Sequence, residues 1–396
     1  MLTITNEQGI FRLTRVDSLH VTGLAGRSVD IDIDFDPKLN VIFGLNGLGK
    51  TSLLKIIHAA LSNDHRAVTR IPVERASVTF STNSGEKQYT RSIIRQTEED
   101  TDEGFYAVET EDGEIIEISS RAAAEGPTQW LTKPRSVARF PHSFLNTSRL
   151  MPTRIERGPV PRRQSQRYEE AIDEAFEREL QQLWQQYANS ILSQVRELQD
   201  DGIAGILESI FFVKTTQTPN STPTQEAYKY VVDFLKRQGS STYGRKNSRS
   251  FDRFKERYED DAPLQRVVSD IEKLEQGLRR LEEPRNRLQE LVNEFFFGFK
   301  EISFADRGIQ ARVNDKDLEI SNFSSGEKQI LRILVETIRC GPNTIIIDEP
   351  ELSMHIDWQR RLLATMRTVN PEAQIIVATH SPEIMAEVAD DNIFGI

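Results

Sequence analysis

Apolar and acidic residues alternate along "SVDIDIDFD" (28–36), with Val29, Ile31, Ile33 and Phe35 on one side and carboxylates on the other. That period of two predicts a strand with one buried face. The next stretch, "KLNVIFGLNGLGKTSLLKIIHAAL", changes pattern twice. A short apolar run predicts a strand, glycines interrupt it, and Leu53, Leu54, Ile57 and Leu61 then recur at helical spacing. Residues 76–118 alternate again around "TNSGE" and "EDGE", which predicts antiparallel hairpins.

From about 165 to 298 the period turns helical. "YEEAIDEAFERELQQLWQQYANSILSQVRELQ" keeps apolar residues three or four apart. Leu264, Val267, Ile271, Leu274, Leu278, Leu281, Leu288, Val292 and Phe295 form a heptad seam, and Pro284 predicts a kink or a helix end within it. An ordinary helical subdomain and a projecting coiled-coil hairpin both fit this pattern. Polar stretches at 214–225 and 237–250 read as loops. After about 301 the α/β pattern resumes. "SNFSSGEKQILRIL" opens a helix with Ile330, Ile333, Leu334 and Thr337 on one face, and its small first residues predict a helix start with open amides. The apolar strands in "TIIIDEPE" and "IIVATHSPE" follow. The expectation is one α/β domain, residues 1–150 and 301–396, split by a helical insertion over 151–300.

Composition narrows the class. The chain has 396 residues, 37% hydrophobic and 28% charged, enough for a large core. No apolar run approaches the roughly 20 residues of a membrane span, and the N-terminus has no signal-peptide pattern. The single cysteine, Cys340, reads as a small buried residue. A cytoplasmic location without membrane partners is expected. The net charge of −11 argues against a surface coated for nucleic acid. Two local basic patches keep that alternative open: Arg149, Arg154, Arg157, Arg162, Arg163 and Arg167, and the run from Lys236 to Arg257.

The chemistry is concentrated in four places. Gly44, Gly49, Lys50 and Thr51 match G-x-x-x-x-G-K-[ST], between a strand and a helix. There backbone amides wrap phosphates, the lysine reaches the β- and γ-phosphates, and the hydroxyl ligates Mg²⁺. Asn46, Gly47, Gly49, Lys50, Thr51 and Ser52 are therefore expected to bind ATP. Asp348 ends a buried strand and can hold Mg²⁺, with Glu349 placed to orient an attacking water. His380 ends the last long strand, at the sheet edge where ligands bind, and is expected to contact the γ-phosphate.

The order of "GLNGLGKT", "FSSGEKQ", "IIIDEPE", "SMH" and "ATHSP" resembles the ABC-type ATPases. "EPELSMHIDWQ" resembles the OLD-like branch, whose members occur in anti-phage systems such as PARIS, Septu and retrons. Ile356 stands where that branch often has proline. The resemblance covers about 1–150 and 300–396. It implies an α/β ABC-type P-loop ATPase head with an antiparallel β subdomain, split by the helical insertion. It also implies that Ser324 and the Gly326 amide contact the nucleotide held by a second subunit, with Ser353 and His355 at the same interface. Asn146 is a candidate Mg²⁺ contact on the same grounds. The implied partners are a second copy of the chain and a separately encoded effector, a TOPRIM or HNH nuclease or a toxin. A DNA-repair ATPase that binds DNA directly is the alternative.

Overall fold

The computed structural model describes residues 13–82, 87–95, 105–109, 115–119, 128–134, 136, 138–146, 165–211, 222–237, 248–296 and 300–396. The chain forms two compact units, Met1–Trp184 with Leu288–Ile396, and Gln185–Arg287.

The first unit begins with β1 (Thr14–Thr22), β2 (Ile31–Asp34), β3 (Leu39–Phe43) and α1 (Lys50–Ser62). β4 (Arg75–Thr82), β5 (Lys87–Arg95), β6 (Phe105–Glu109), β7 (Ile115–Ser119), β8 (Thr128–Lys133) and β9 (His142–Asn146) follow. Then come α2 (Ser165–Phe211), α3 (Thr224–Arg237), α4 (Ser248–Tyr258) and α5 (Ala262–Phe295). After them, β10 (Glu301–Ala305), β11 (Gly308–Val313) and β12 (Lys316–Leu318) make a small antiparallel sheet. The chain continues through α6 (Ser325–Arg339), β13 (Thr344–Asp348), α7 (Ile356–Val369), β14 (Gln374–Thr379), α8 (Pro382–Met385) and β15 (Ile393–Gly395).

Two five-stranded sheets organise the first unit. One, in order β15-β3-β14-β13-β9, is wholly parallel. The other, in order β2-β1-β4-β5-β8, is antiparallel. The expected hairpins are the pairs β4–β5 and β6–β7, whose turns lie outside the described residues. Strands β13 and β14 are buried at every residue, as a parallel sheet covered on both faces requires. Helix α1 shares a core with the antiparallel strands, and Leu53, Leu54, Ile56, Ile57 and Leu61 are all fully buried. Each contributes about 1.5–3 kcal/mol of hydrophobic stabilisation before entropy is counted. Buried Gln374 stitches the sheets together. Its Oε1 accepts from the Val16 amide at 2.8 Å, and its Nε2 donates to the Val16 carbonyl at 2.8 Å. The architecture is a parallel α/β sheet with an antiparallel β subdomain, split in sequence by a helical insertion.

In the second unit, Ala227, Tyr258 and Val268 form a core with Val231, Phe254 and Leu264, joining α3, α4 and α5. Leu274 packs over Gly202 and Leu198 over Gly277, which brings α2 and α5 together. Three sequence expectations are corrected here. Pro284 does not end its helix, because α5 runs through it to Phe295. Ordered burial on both sides, at Leu278 and Leu288, outweighs one lost backbone bond. Val268, rather than Val267, is fully buried, and the seam also takes in Glu275 at 1% exposure. Val29 is 71% exposed, since the strand starts only at Ile31.

Among the described residues no helix is long and apolar enough to cross a membrane. Cys340 is buried, and burial pushes its thiol up to about 12, which suits packing and not nucleophilic chemistry. Of the basic patches, Arg149, Arg154, Arg157, Arg162 and Arg163 lie outside the described residues. In the second patch Arg237 pairs with Glu275 and Glu282, and Arg257 with Asp261, so those charges are partly balanced.

Candidate nucleotide site

The parallel sheet decides where the chemistry gathers. β3, β14 and β13 are neighbours running the same way, so Phe43 pairs with Thr379 and Ala378 with Asp348. The residues that follow each strand therefore emerge along one edge: the glycine loop, Glu349 and His380.

The loop from Gly44 to Gly49 leads directly into α1. Gly47 and Gly49 have φ of 85° and 99°. Glycine is required at Gly49, where a Cβ would also meet Leu24 Cδ2 at 2.8 Å. Asn46 and Gly47 lie at the exposed crest of the loop, and Ser52 stands in the first turn of the helix. Lys50 is 4% exposed, and its Nζ donates to the Gly44 carbonyl at 2.6 Å and to the Leu45 carbonyl at 3.1 Å. The ammonium thus sits inside the curl of the loop, among the backbone that a phosphate would face.

Thr51 Oγ1 donates to both oxygens of Asp348, at 2.9 and 3.1 Å. Burial pushes the Asp348 carboxyl above its ordinary value, against the Thr51 hydrogen bond and the nearby Lys55 and Lys50 charges. A buried carboxylate touching a hydroxyl offers two hard oxygen donors, and a cation there would relieve the desolvation cost. These residues fit Mg²⁺.

Glu349 occupies the left-handed region at φ 49°, and its amide donates to the Ala378 carbonyl at 2.8 Å. This strained backbone turns its side chain out of the strand line while keeping β13 tied to β14. His380 Nδ1 lies 3.8 Å from Glu349 Oε1 and 3.1 Å from Glu351 Oε1. Asn146 ends β9 in register with Asp348. The sequence reading therefore has Lys50, Thr51, Asp348, Glu349 and His380 meeting along one edge, with Asn146 beside them.

Ser324 and Gly326 belong to a second group. Ser324 caps α6 and forms a reciprocal pair with Glu327: its amide donates to Glu327 Oε2 at 2.7 Å, and its Oγ accepts from the Glu327 amide. The helix start expected to be open is thus partly closed by an acidic side chain. Burial pushes the Glu327 carboxyl up, but hydrogen bonds from Lys300 and Ser324 outweigh this and leave it below its ordinary value. Gly326 is buried against the loop after Glu349, where a Cβ would meet the Ser353 carbonyl at 2.4 Å. Only glycine allows that approach. Ser353 has φ 62°, and exposed His355 caps α7 through its Nδ1.

Sequence reasoning passed over two residues of this edge. Gln329 is fully buried and donates to the Pro350 carbonyl at 2.5 Å. Glu351 is 6% exposed and accepts from Thr379 Oγ1 and the His380 amide. The second glutamate of "DEPE" was the available signal.

The family profile described as "AAA domain, putative AbiEii toxin, Type IV TA system" matches residues 39–386. The retron Ec83 probable ATPase of Escherichia coli is 25% identical over 122 residues, covering 27% of this chain and 22% of that protein. The Septu protein PtuA of Bacillus thuringiensis is 35% identical over 52 residues, 13% of each chain. The matches thus span less than a quarter of these relatives' lengths. The Smc head domain of Pyrococcus furiosus, solved with an extended coiled coil, has 13% identity and a TM-score of 0.43. That alignment covers 97% of this chain and 93% of that one.

Proposed function

This chain belongs to the AAA domain family described as putative AbiEii toxin of the type IV TA system, and from that premise we propose that it binds and hydrolyses ATP as an ABC-type ATPase. The observation that carries the proposal is the Thr51–Asp348 contact, which joins the glycine loop to the acidic strand end. In this reading Lys50 exchanges its loop carbonyls for the β- and γ-phosphates. Asn46, Gly47, Gly49 and Ser52 line the phosphates, and Thr51 and Asp348 hold Mg²⁺. Bound there, Mg²⁺ supplies positive charge for the phosphate oxygens and fixes their geometry. Glu349 orients the attacking water, and His380 donates to the γ-phosphate.

The finer reading rests on the resemblance of the sequence motifs to the ABC-type ATPases. Ser324 and the Gly326 amide serve the nucleotide of a second copy, so two chains close around ATP. The ATPase lobes are residues 1–150 and 301–396, with the helical insertion over 151–300 carrying their movement outward. The output is a separately encoded effector, a nuclease or toxin, in anti-phage defence. The retron and Septu names of the relatives support that setting.

The test is ATP turnover and nucleotide binding by the purified chain. Glu349→Gln should keep ATP affinity and slow hydrolysis by about 10²-fold or more, because the water loses its orienting carboxylate. Lys50→Ala should lose tight binding altogether. Wild-type turnover in Glu349→Gln, or wild-type affinity in Lys50→Ala, would overturn the assignment.

A further inference from the structure

Helix α2 carries apolar residues on two faces over its last turns, and only one of those faces is covered. On the inner face Leu198 packs over Gly277 and Leu274 over Gly202, Ile206 is buried, and Ser209 Oγ donates to Asp270 Oδ2. These positions recur every three or four residues and meet α5. On the other face Ile203, Leu207, Ile210 and Phe211 are all exposed, Leu207 to 48% and Phe211 to 71%. Ile203, Leu207 and Ile210 follow one another at four and three residues, the spacing of a coiled-coil seam. A helix that is apolar on both sides is ordinarily buried on both. Isolated exposed hydrophobic side chains need no explanation, but a contiguous row of four marks an interaction surface.

Charge decides what can cover that row. From Glu197 to Phe211 the helix holds four acids, Glu197, Asp200, Asp201 and Glu208, all exposed, and no lysine or arginine. Four carboxylates repel phosphate-rich surfaces, whether nucleic acid or anionic lipid. A second copy would bring the same four acids to the contact and is disfavoured for the same reason. We propose that Ile203, Leu207, Ile210 and Phe211 are the docking seam for an amphipathic helix of another protein, one whose apolar stripe is bordered by lysine or arginine. Asp200 lies three residues before Ile203, and Glu208 three before Phe211, so both acids stand beside the seam where basic side chains of that helix can reach them. The inference stands apart from the nucleotide site and does not depend on it.

The experiment measures binding of two labelled synthetic helical peptides to the full chain by fluorescence anisotropy. Both carry leucines at seam spacing; one has lysines along its edges and the other glutamates. The lysine peptide should bind saturably and weaken as salt rises, and the glutamate peptide should bind at least about tenfold more weakly. Leu207→Glu should weaken the lysine peptide at least about tenfold, the scale of losing one central apolar contact. That substitution adds a negative charge, so attraction by charge alone would tighten binding instead. Unchanged or tighter binding by Leu207→Glu would therefore overturn the proposal, and so would equal affinity for the two peptides. Because Leu207 is exposed, its replacement should leave the melting temperature within about 2 °C of wild type. A larger drop would mean that the chain covers this face itself, against the proposal. Sedimentation of the full chain tests the remaining occupant: self-association that Leu207→Glu abolishes would assign the seam to a second copy and overturn docking of a different protein.

Discussion

Replacing Arg91 by methionine should destabilise the first unit by about 3 kcal/mol, although Arg91 touches no part of the nucleotide edge. Arg91 is fully buried on β5, on the same face as Tyr89 and Ile93. Its guanidinium donates to the Ala60 carbonyl, to the Ala138 carbonyl at 2.7 Å, to Thr132 Oγ1 at 3.0 Å and to the Ser136 carbonyl at 3.4 Å. It lies 5.1 Å from the Phe140 ring centroid. Ala60 is in the last turn of α1, so the cation also sits at the negative end of the helix that begins with Lys50. Burial without a carboxylate pushes Arg91 down to about 10. At 1.36 kcal/mol per unit, that desolvation costs about 3 kcal/mol, which a neutral side chain would not incur. Against this, methionine forfeits two strong charged hydrogen bonds at roughly 2 kcal/mol each and two weaker ones at roughly 1. The loss of about 6 kcal/mol less the relief of about 3 leaves the net destabilisation of about 3.

For a unit of this size, such a loss lowers the melting temperature by about 5 °C. Thermal unfolding followed by circular dichroism measures it, with ATP affinity recorded in parallel below the transition. Affinity should hold within a few-fold, since the glycine loop is shaped locally by Gly49 and Leu24. A shift under about 1 °C would refute the reasoning, because the buried carbonyls would then have found other partners at no cost.

Acidification offers a second test. His142 Nδ1 bonds the Phe140 carbonyl at 2.8 Å, so its Nε2 accepts from His58 Nδ1 at 2.8 Å, and a second proton would set donor against donor. Burial chiefly lowers His142 to about 4, and it lowers His58 as well. A folded value below the unfolded one means the neutral form is favoured. The stability is therefore complete above about pH 6.5 and lost as pH falls toward 4, by up to about 3 kcal/mol from His142. Melting temperature against pH should show this slope, and His142→Asn should flatten it. For the shared site, mixing Ser324→Arg with Lys50→Ala places both defects on one composite site of a mixed dimer. Turnover should return to about a quarter of wild type under random pairing with independent sites; full activity of the wild-type chain as a monomer would refute trans assembly.

What the sequence makes legible at this site is whatever a strand or helix dictates locally. Lys50 and Thr51 follow a glycine loop, and Asp348 and His380 close apolar runs. Parallel pairing of β3, β14 and β13 then aligns those ends without further instruction. The Ser324–Glu327 cap went unread, although a serine followed three residues later by glutamate is its signal. Arg91 was not. Its place in the alternation points inward, but charge argues outward, and the acceptors that reverse that preference stand 31 and 47 residues away. Glu351 was hidden for the same reason, because Thr379 and His380, which engage its Oε1, come from the far end of another strand. Pro284 shows the converse, a strong local signal overridden by burial on both sides. A buried charge can be assigned only once the fold says who else is there. The Glu351 side chain therefore became chemically meaningful only when β13 and β14 were paired. At that point the Thr379 hydroxyl and the His380 amide both donate to its Oε1.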